Sequence, residues 1–385
     1  MTADGNVSAF KTKPAYLPFR PFFRVAAIDA IAGAGGWLPS ALGIQAFGAT
    51  AISVGEWHRD MLLFGMVPAM LTGFLLTALP RWTGRRAVLP QMTYLLVVLW
   101  VCGRLAFVLL SPSIGLALTA IWLVALLLIA ARVVIAGRDR RNYKVIFLLA
   151  TFCGSTVLVA ASCQVELALR LAVASIVGLL VIIGGRVVPA LTVAYVESAG
   201  GQIALRRSMA REHAAALITT CALCLWVIAP EAKISGLACA LAGLNQAIRG
   251  AQWKGWRSLS SSTVLGLHIG YGWIGVGFGL LAIHIFVPAM VAQPTALHAW
   301  TIGAIGTMAL TIMASMIRKH SRLAFVPSAP ATGALMAITA CCLFRLLIEV
   351  LPDYSGALAA LSGALWIVAF GLFVMAYRRV LLEGG

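Results

Sequence analysis

The sequence predicts an all-α polytopic membrane protein of about twelve transmembrane helices with both termini in the cytoplasm. Three observations carry that reading. Hydrophobic residues make up 61% of the 385 and charged residues 11%, with a mean hydropathy of +0.97, a composition foreign to soluble domains. Apolar runs long enough to cross a bilayer recur along the whole chain. Lysines and arginines crowd into every second gap between those runs.

In chain order the runs begin near Phe22, Met61, Met92, Ile114, Tyr143, Leu171, Ala214, Ala232, Thr263, Thr295, Pro327 and Gly356. Each offers the roughly 20 residues that span a hydrocarbon core as helix. None shows the alternating apolar and polar pattern of a membrane strand. Residues 1–20 read as a polar cytoplasmic tail, and no short apolar run with a small-residue cleavage site marks a signal peptide.

The basic residues then punctuate the spans. Lys11, Lys13, Arg20 and Arg24 flank the first, while Arg81, Arg85 and Arg86 follow the second. Arg132, Arg138, Arg140, Arg141 and Lys144 follow the fourth, Arg206, Arg207 and Arg211 the sixth, and Arg249, Lys254 and Arg257 the eighth. Arg318, Lys319 and Arg322 follow the tenth, and Arg378 and Arg379 close the twelfth. These are 23 of the 29 basic residues, whereas the alternate gaps hold only Arg59, Arg170 and Lys233. The alternation places the termini in the cytoplasm. Residues 196–212, with Gly200 and Gly201, form the longest predicted loop, and with no linker in sight residues 21–380 form a single transmembrane domain. The net charge of +17 is spread over these short segments, so its partners are anionic lipid headgroups and not nucleic acid.

Four of the six histidines, His58, His268, His298 and His320, fall inside or at the ends of apolar spans. An ionisable group in hydrocarbon is costly, and such residues mark cofactor, metal or proton sites. Counted along the helices, His58 and His298 lie at the outer face, and His268 and His320 near the inner one. His298 and His320 share the tenth span about 20 residues apart, roughly 30 Å of helix, and cannot share a ligand. Two sites, one per face, or one buried haem with the other pair structural, both fit. His284 could join the outer group, and His213 reads as an interfacial loop residue.

Three arginines lie within spans. Arg104 and Arg345 fall in the outer half, and Arg186, in Gly184-Gly185-Arg186, in the inner half. Few acids lie near them in sequence, so a cofactor carboxylate is the expected counter-ion, with buried carbonyls or a stray protein carboxylate as the alternative.

The stretches around these residues resemble the NnrS family nearly end to end: Phe19-Arg20-Pro21-Phe22-Phe23, Trp57-His58, Gly73-Phe74-Leu75-Leu76-Thr77-Ala78, Trp82-Thr83-Gly84-Arg85, Gly103-Arg104-Leu105, Gly184-Gly185-Arg186, Leu267-His268-Ile269-Gly270-Tyr271 and Ala296-Leu297-His298-Ala299. The resemblance implies a roughly twelve-helix bacterial inner-membrane protein binding one or two b-type haems, linked to nitric oxide, denitrification and nitrosative stress. It implies an electron donor such as a quinol or a cytochrome. Copper is another family cofactor, but where the family carries a second histidine and then a glutamate after the first, this chain has Asp60 and Met61, which weighs against copper there. Either a hard and a soft ligand, or a surface carboxylate and a lipid-facing methionine, would account for the pair. The expected arrangement is His58 and His298 on a haem with Arg104 and Arg345 near its propionates, and His268, His320 and Arg186 at a second, inner site.

Two other classes compete. A twelve-helix secondary transporter shares the span count, and Gly73 to Arg86 falls where such proteins keep a glycine and arginine motif, yet the acidic partner is missing and the halves show no repeat. A cytochrome b-like quinol module would pair histidines at like depth, as His58 and His298 do. Cys221 and Cys224 form a C-x-x-C within an apolar helix and read as buried packing; Cys341 and Cys342 are adjacent and face different ways. No C-x-x-C-H for covalent haem, phosphate loop, catalytic triad or zinc signature occurs.

Overall fold

The computed structural model describes residues 17–44, 52–86, 88–205, 208–321, 323–325 and 328–382. Most of the expected N-terminal tail, with Lys11 and Lys13, and the loop cations Arg206, Arg207 and Arg322 lie outside the described residues. Among the described residues there is no strand, and the apolar runs are helices.

Twelve long helices follow one another: α1 (Phe19–Ala41), α2 (Val54–Trp82), α3 (Pro90–Leu109), α4 (Pro112–Ala136), α5 (Tyr143–Ala160), α6 (Val165–Ser198), α7 (Met209–Ile228), α8 (Lys233–Ala251), α9 (Ser262–Phe286), α10 (Gln293–His320), α11 (Ala329–Leu347) and α12 (Ser355–Leu382). Ten are long and apolar enough to cross a membrane. The other two, α1 with Arg20, Arg24 and Asp29, and α8 with Asn245, Gln246 and Arg249, carry more polar side chains.

Local chemistry sets the boundaries. Pro stands in the first turn of α3, α4, α10 and α11, where its missing N–H costs nothing. Ser111, Ser261 and Ser328 cap α4, α9 and α11. Gly84 and Gly200 follow the ends of α2 and α6 with φ of 66° and 75°, the left-handed turn that glycine adopts without strain.

Burial separates the helices into two sets. The apolar windows of α2, α10 and α6 are 89%, 83% and 72% buried, against 33–44% for the remaining spans. Three central helices are therefore sheathed by outer ones, whose exposed Leu105, Ile121, Phe147, Leu217, Leu244 and Met336 suit lipid contact. The sheath is sequential: α3 packs on α4, α4 on α5, α5 on α6, α7 on α8, α8 on α9 and α11 on α12, and α12 returns to α1. Short connections make successive helices alternate in direction. All three central helices thus start at the same end of the bundle, the end poor in basic residues.

Both α2 and α10 are interrupted early by π-helical turns, Leu62–Met66 and Ala299–Gly306. Such insertions re-aim side chains and recur at functional sites. Each follows a histidine on the sequence-predicted list within one turn.

Candidate functional site: a cavity at the start of the central helices

Where α2, α6 and α10 begin, the bundle holds a partly open cavity of about 410 Å³. Its walls come from six helices, including Trp37 of α1, His58 and Arg59 of α2, Leu169 and Val173 of α6, His298 of α10, Arg345 and Cys341 of α11, and Trp366 of α12. The volume is that of a cofactor pocket, and the lining is mostly apolar with a few converging polar groups. The π-turns supply much of the wall, through Leu62, Leu63 and Met66 on one side and Thr301, Ile302 and Ile305 on the other.

Both histidines are keyed into place by a neighbouring tryptophan. At the start of α2 the Ser53 hydroxyl accepts from the Glu56 backbone N–H while the Glu56 carboxylate accepts from the Ser53 N–H, a capping box that fixes the first turn. The Trp57 indole then donates to the Ala32 carbonyl at 3.1 Å and lies against Gly36, where a Cβ would collide with it. On α10, Trp300 donates to the Ile274 carbonyl at 3.1 Å and lies against Gly277 of α9 in the same manner. A helix bearing a histidine is seated on a glycine of the preceding helix in each case, the close approach that small residues permit.

The His298 Nδ1 is 2.5 Å from the Pro294 carbonyl oxygen. A carbonyl only accepts, so Nδ1 donates and Nε2 keeps its lone pair for a ligand. The His58 ring packs on Trp37 at 5.2 Å and lies beside the Gly33 backbone, and its Nδ1 is buried without a well-formed hydrogen bond. Arg345 lies within electrostatic reach of both rings. Among the described residues its one hydrogen bond is long, 3.5 Å from Nη1 to the Thr295 hydroxyl, and the neighbouring Glu349 carboxylate accepts from Thr295 instead. No described carboxylate comes within 4 Å of the guanidinium. Arg345 is thus the group through which the cavity favours an anion.

Arg104 stands apart from the cavity. It donates to the Thr119 hydroxyl at 2.7 Å and contacts the Met61 sulfur at 3.7 Å, and it faces the carboxylate of Asp29, with both side chains over Gly65. Its counter-ion is thus a protein carboxylate from a distant part of the chain. Asp60 and Met61 are neither at the surface nor facing lipid, the second of the two expectations for them. Asp60 is fully buried and binds Arg59 bidentately at 2.6 and 2.9 Å, and Met61 is 5% exposed.

The proposed inner group is not brought together. The His268 Nε2 pairs with the Thr192 hydroxyl at 2.8 Å, His320 packs edge-on against Phe19 at 5.3 Å, and Arg186 donates to Asn142 and the Arg141 carbonyl and covers Trp82. None of them lines the cavity. His284 is bonded to the Val291 carbonyl at 2.9 Å and does not join the cavity, and His213 is exposed but lies near the start of α7, not on the expected loop, because the helix begins at Met209. Cys221 and Cys224 are exposed on α7 and not buried, a correction that follows from the lipid-facing position of this outer helix. Cys341 and Cys342 are buried.

Sequence reasoning missed Asp29, Trp37 and the cavity face of Arg59. An aspartate inside an apolar run was the available signal for the first; the others depend on tertiary packing. A family model described as NnrS protein matches residues 15–384. Comparison with curated proteins found no match.

Proposed function

The chain belongs to the NnrS family and is a nitric-oxide-linked multi-pass membrane protein; from that premise we propose that it holds one b-type haem in the cavity between His58 and His298 and binds nitric oxide there. The observation that carries the proposal is the convergence of two imidazoles and an arginine, which has Glu349 nearby but no carboxylate oxygen within 4 Å, on one apolar cavity of about 410 Å³. A haem brings its own equatorial nitrogens and asks the protein for one or two axial imidazoles. A bare ion asks for three or four side chains, and among the described residues no three His, Cys, Asp or Glu gather as a metal cage.

When bound, haem iron supplies a binding position for a diatomic gas and one-electron chemistry. His298, with Nδ1 on a carbonyl, would hold the iron through Nε2. His58 would be the second protein ligand if the group served electron transfer, or would stand beside a bound gas if it did not. Arg345 is the group to pair with a propionate, and the leucine, valine and isoleucine walls keep water out. Copper at Asp60 and Met61 is not part of this reading, because both carboxylate oxygens are held by Arg59 and the sulfur faces Arg104. We place the protein in the bacterial inner membrane with the basic end cytoplasmic, so the haem lies near the outer face and draws electrons from a quinol or a cytochrome.

The test is an absorption spectrum of the detergent-purified protein, oxidised, reduced and exposed to nitric oxide, with haem content from the pyridine adduct. A b-type spectrum that shifts with nitric oxide and is lost in His298→Ala supports the reading. A protein that takes up no haem, or haem retained in both His58→Ala and His298→Ala, would sink it.

A further inference from the structure

Beside the cavity lies a second cluster of buried polar groups that gas binding does not use. Asp29 is 1% exposed and Arg104 8% exposed, both deep in the bundle. Gly65, placed in the π-turn of α2, makes room for them: a Cβ there would collide with Asp29 Oδ2 and come within 2.9 Å of Arg104 Nη1. Yet the two groups form no ion pair within 4 Å. Asp29 Oδ2 and Arg104 Nε are buried without a hydrogen-bond partner, and the indole N–H of Trp100 is directed at the Asp29 carboxyl without a well-formed bond. Arg104 is held instead by the Thr119 hydroxyl, which itself donates to the Gly115 carbonyl.

Burial without partners is costly for each of these atoms, and at membrane depth such a carboxyl marks a proton or ion site. The arrangement tolerates both charge states of Asp29. A carboxylate is compensated by the facing guanidinium; a neutral acid leaves Arg104 on Thr119, with Asp60 the next carboxylate, itself bound to Arg59. The charged and polar groups that face Asp29 are Arg104 and Trp100 from α3; α2 presents Gly65, and α12 contributes Trp366, whose indole donates to the Ala30 carbonyl. Four residues along α1 from Asp29, about 6 Å of rise, is Gly33, whose backbone lies beside the His58 ring. Gly33 also faces Leu62 and Met61 of α2, so Asp29 and Gly33 lie on the same stripe of α1.

We infer that Asp29 is a redox-linked proton site: it takes up one proton when the cofactor between His58 and His298 accepts one electron. The inference rests on the haem reading above. The step balances: one electron from an added reductant enters the iron, one proton from water forms the carboxylic O–H bond on Asp29, and oxidation reverses both. An added electron in a low-dielectric interior raises the cost of a nearby carboxylate, and protonation removes that charge.

The experiment is a potentiometric titration of the haem-loaded protein over a range of pH, with infrared difference spectra of oxidised against reduced protein. The wild type should lose about 59 mV of midpoint potential per pH unit over the range in which Asp29 titrates, one proton per electron, and reduction should produce a carboxylic acid carbonyl band that shifts in D2O. In Asp29→Asn the slope should flatten and the band vanish at unchanged haem content. An equal slope in wild type and Asp29→Asn, or no such band in the wild type, would overturn the inference while leaving the haem reading intact; absence of haem would defeat that reading first. If Asp29→Asn does not accumulate, Trp100→Phe serves. It removes the indole N–H directed at the Asp29 carboxyl, so the carbonyl band should shift, and an unshifted band counts against Asp29.

Discussion

The two ends of this bundle differ in how they treat the polar groups around their histidines. At the basic end most of them close on one another, although Arg20 Nε, Arg24 Nε and Asn245 Oδ1 are buried without a partner. Arg249 binds Glu212, the Val181 carbonyl and the Tyr271 hydroxyl, Tyr271 donates to Gln246, and Gln246 donates to Thr219. His268 has Thr192, and Arg186 has Asn142. At the other end His58, Arg345 and Asp29 keep unused bonding capacity around or beside a cavity. Native interiors satisfy their polar atoms, so a satisfied histidine reads as architecture and an unsatisfied one beside a void reads as a site.

Exchanging the ends is the strongest way to break that comparison. His298→Ala should reduce haem content by about tenfold or more, as should His58→Ala if it is the second axial ligand, while His268→Ala and His320→Ala should leave it near the wild-type level. Haem per protein from the pyridine adduct measures all four. Loss in His268→Ala with retention in His298→Ala would move the cofactor to the basic end.

The arginines sharpen the contrast next. Charged hydrogen bonds contribute about 1.5–3 kcal/mol, so Arg345→Gln should weaken haem retention by roughly tenfold to a hundredfold. Arg186→Gln should leave retention unchanged and lower the melting temperature instead, because Asn142 and Arg141 lose their partner. Competition with a haem-scavenging apoprotein reports the first and a thermal melt in detergent the second.

The fold was legible in the sequence because lipid imposes a simple rule: apolar runs of sufficient length become helices, and cations mark their ends. All twelve expected runs coincide with long helices, ten of them long and apolar enough to cross a membrane. The pairing of His58 with His298 was legible too, since depth along a helix follows from residue count. What depth cannot give is azimuth. His268 and Arg186 share a half of the membrane but face different neighbours, and Arg104 turns to Asp29, 75 positions away in sequence. The two π-turns were invisible as well, because their residues, Leu62–Met66 and Ala299–Gly306, are as apolar as the flanking helix.

The paired tryptophan seats offer a finer test of whether the cavity end is built as one unit. Gly36→Ala and Gly277→Ala each place a Cβ against an indole ring, an overpacking that costs about 1–3 kcal/mol. Because Trp57 adjoins His58 and Trp300 follows His298 by two residues, both variants should lose haem in proportion to stability. Trp57→Phe, which drops the bond to Ala32 and trims the ring packed against Gly36 and Phe107, should cost about 1 kcal/mol or more. A variant that lost stability but kept full haem affinity would show that the seat and the ligand are independent.

The smallest expected effect belongs to His268. Its ring rests on Gly255, with Cγ and Nδ1 both 2.8 Å from where a Cβ would be, and its Nε2 meets the Thr192 hydroxyl. Thr192 also donates to the Val188 carbonyl, which commits its proton there, so Nε2 is the donor to Thr192 and Nδ1 carries the lone pair. A histidine in that state links α9 to α6 and offers Nδ1 only toward Gly255. His268→Gln preserves a donor of similar reach and should be nearly neutral, whereas His268→Ala removes the bond and leaves a gap, lowering stability by about 1–2 kcal/mol in a thermal melt. If His268→Gln were instead as damaging as His268→Ala, and damaging to a spectrum more than to the melt, the imidazole itself would be required, and the basic end would hold a ligand after all.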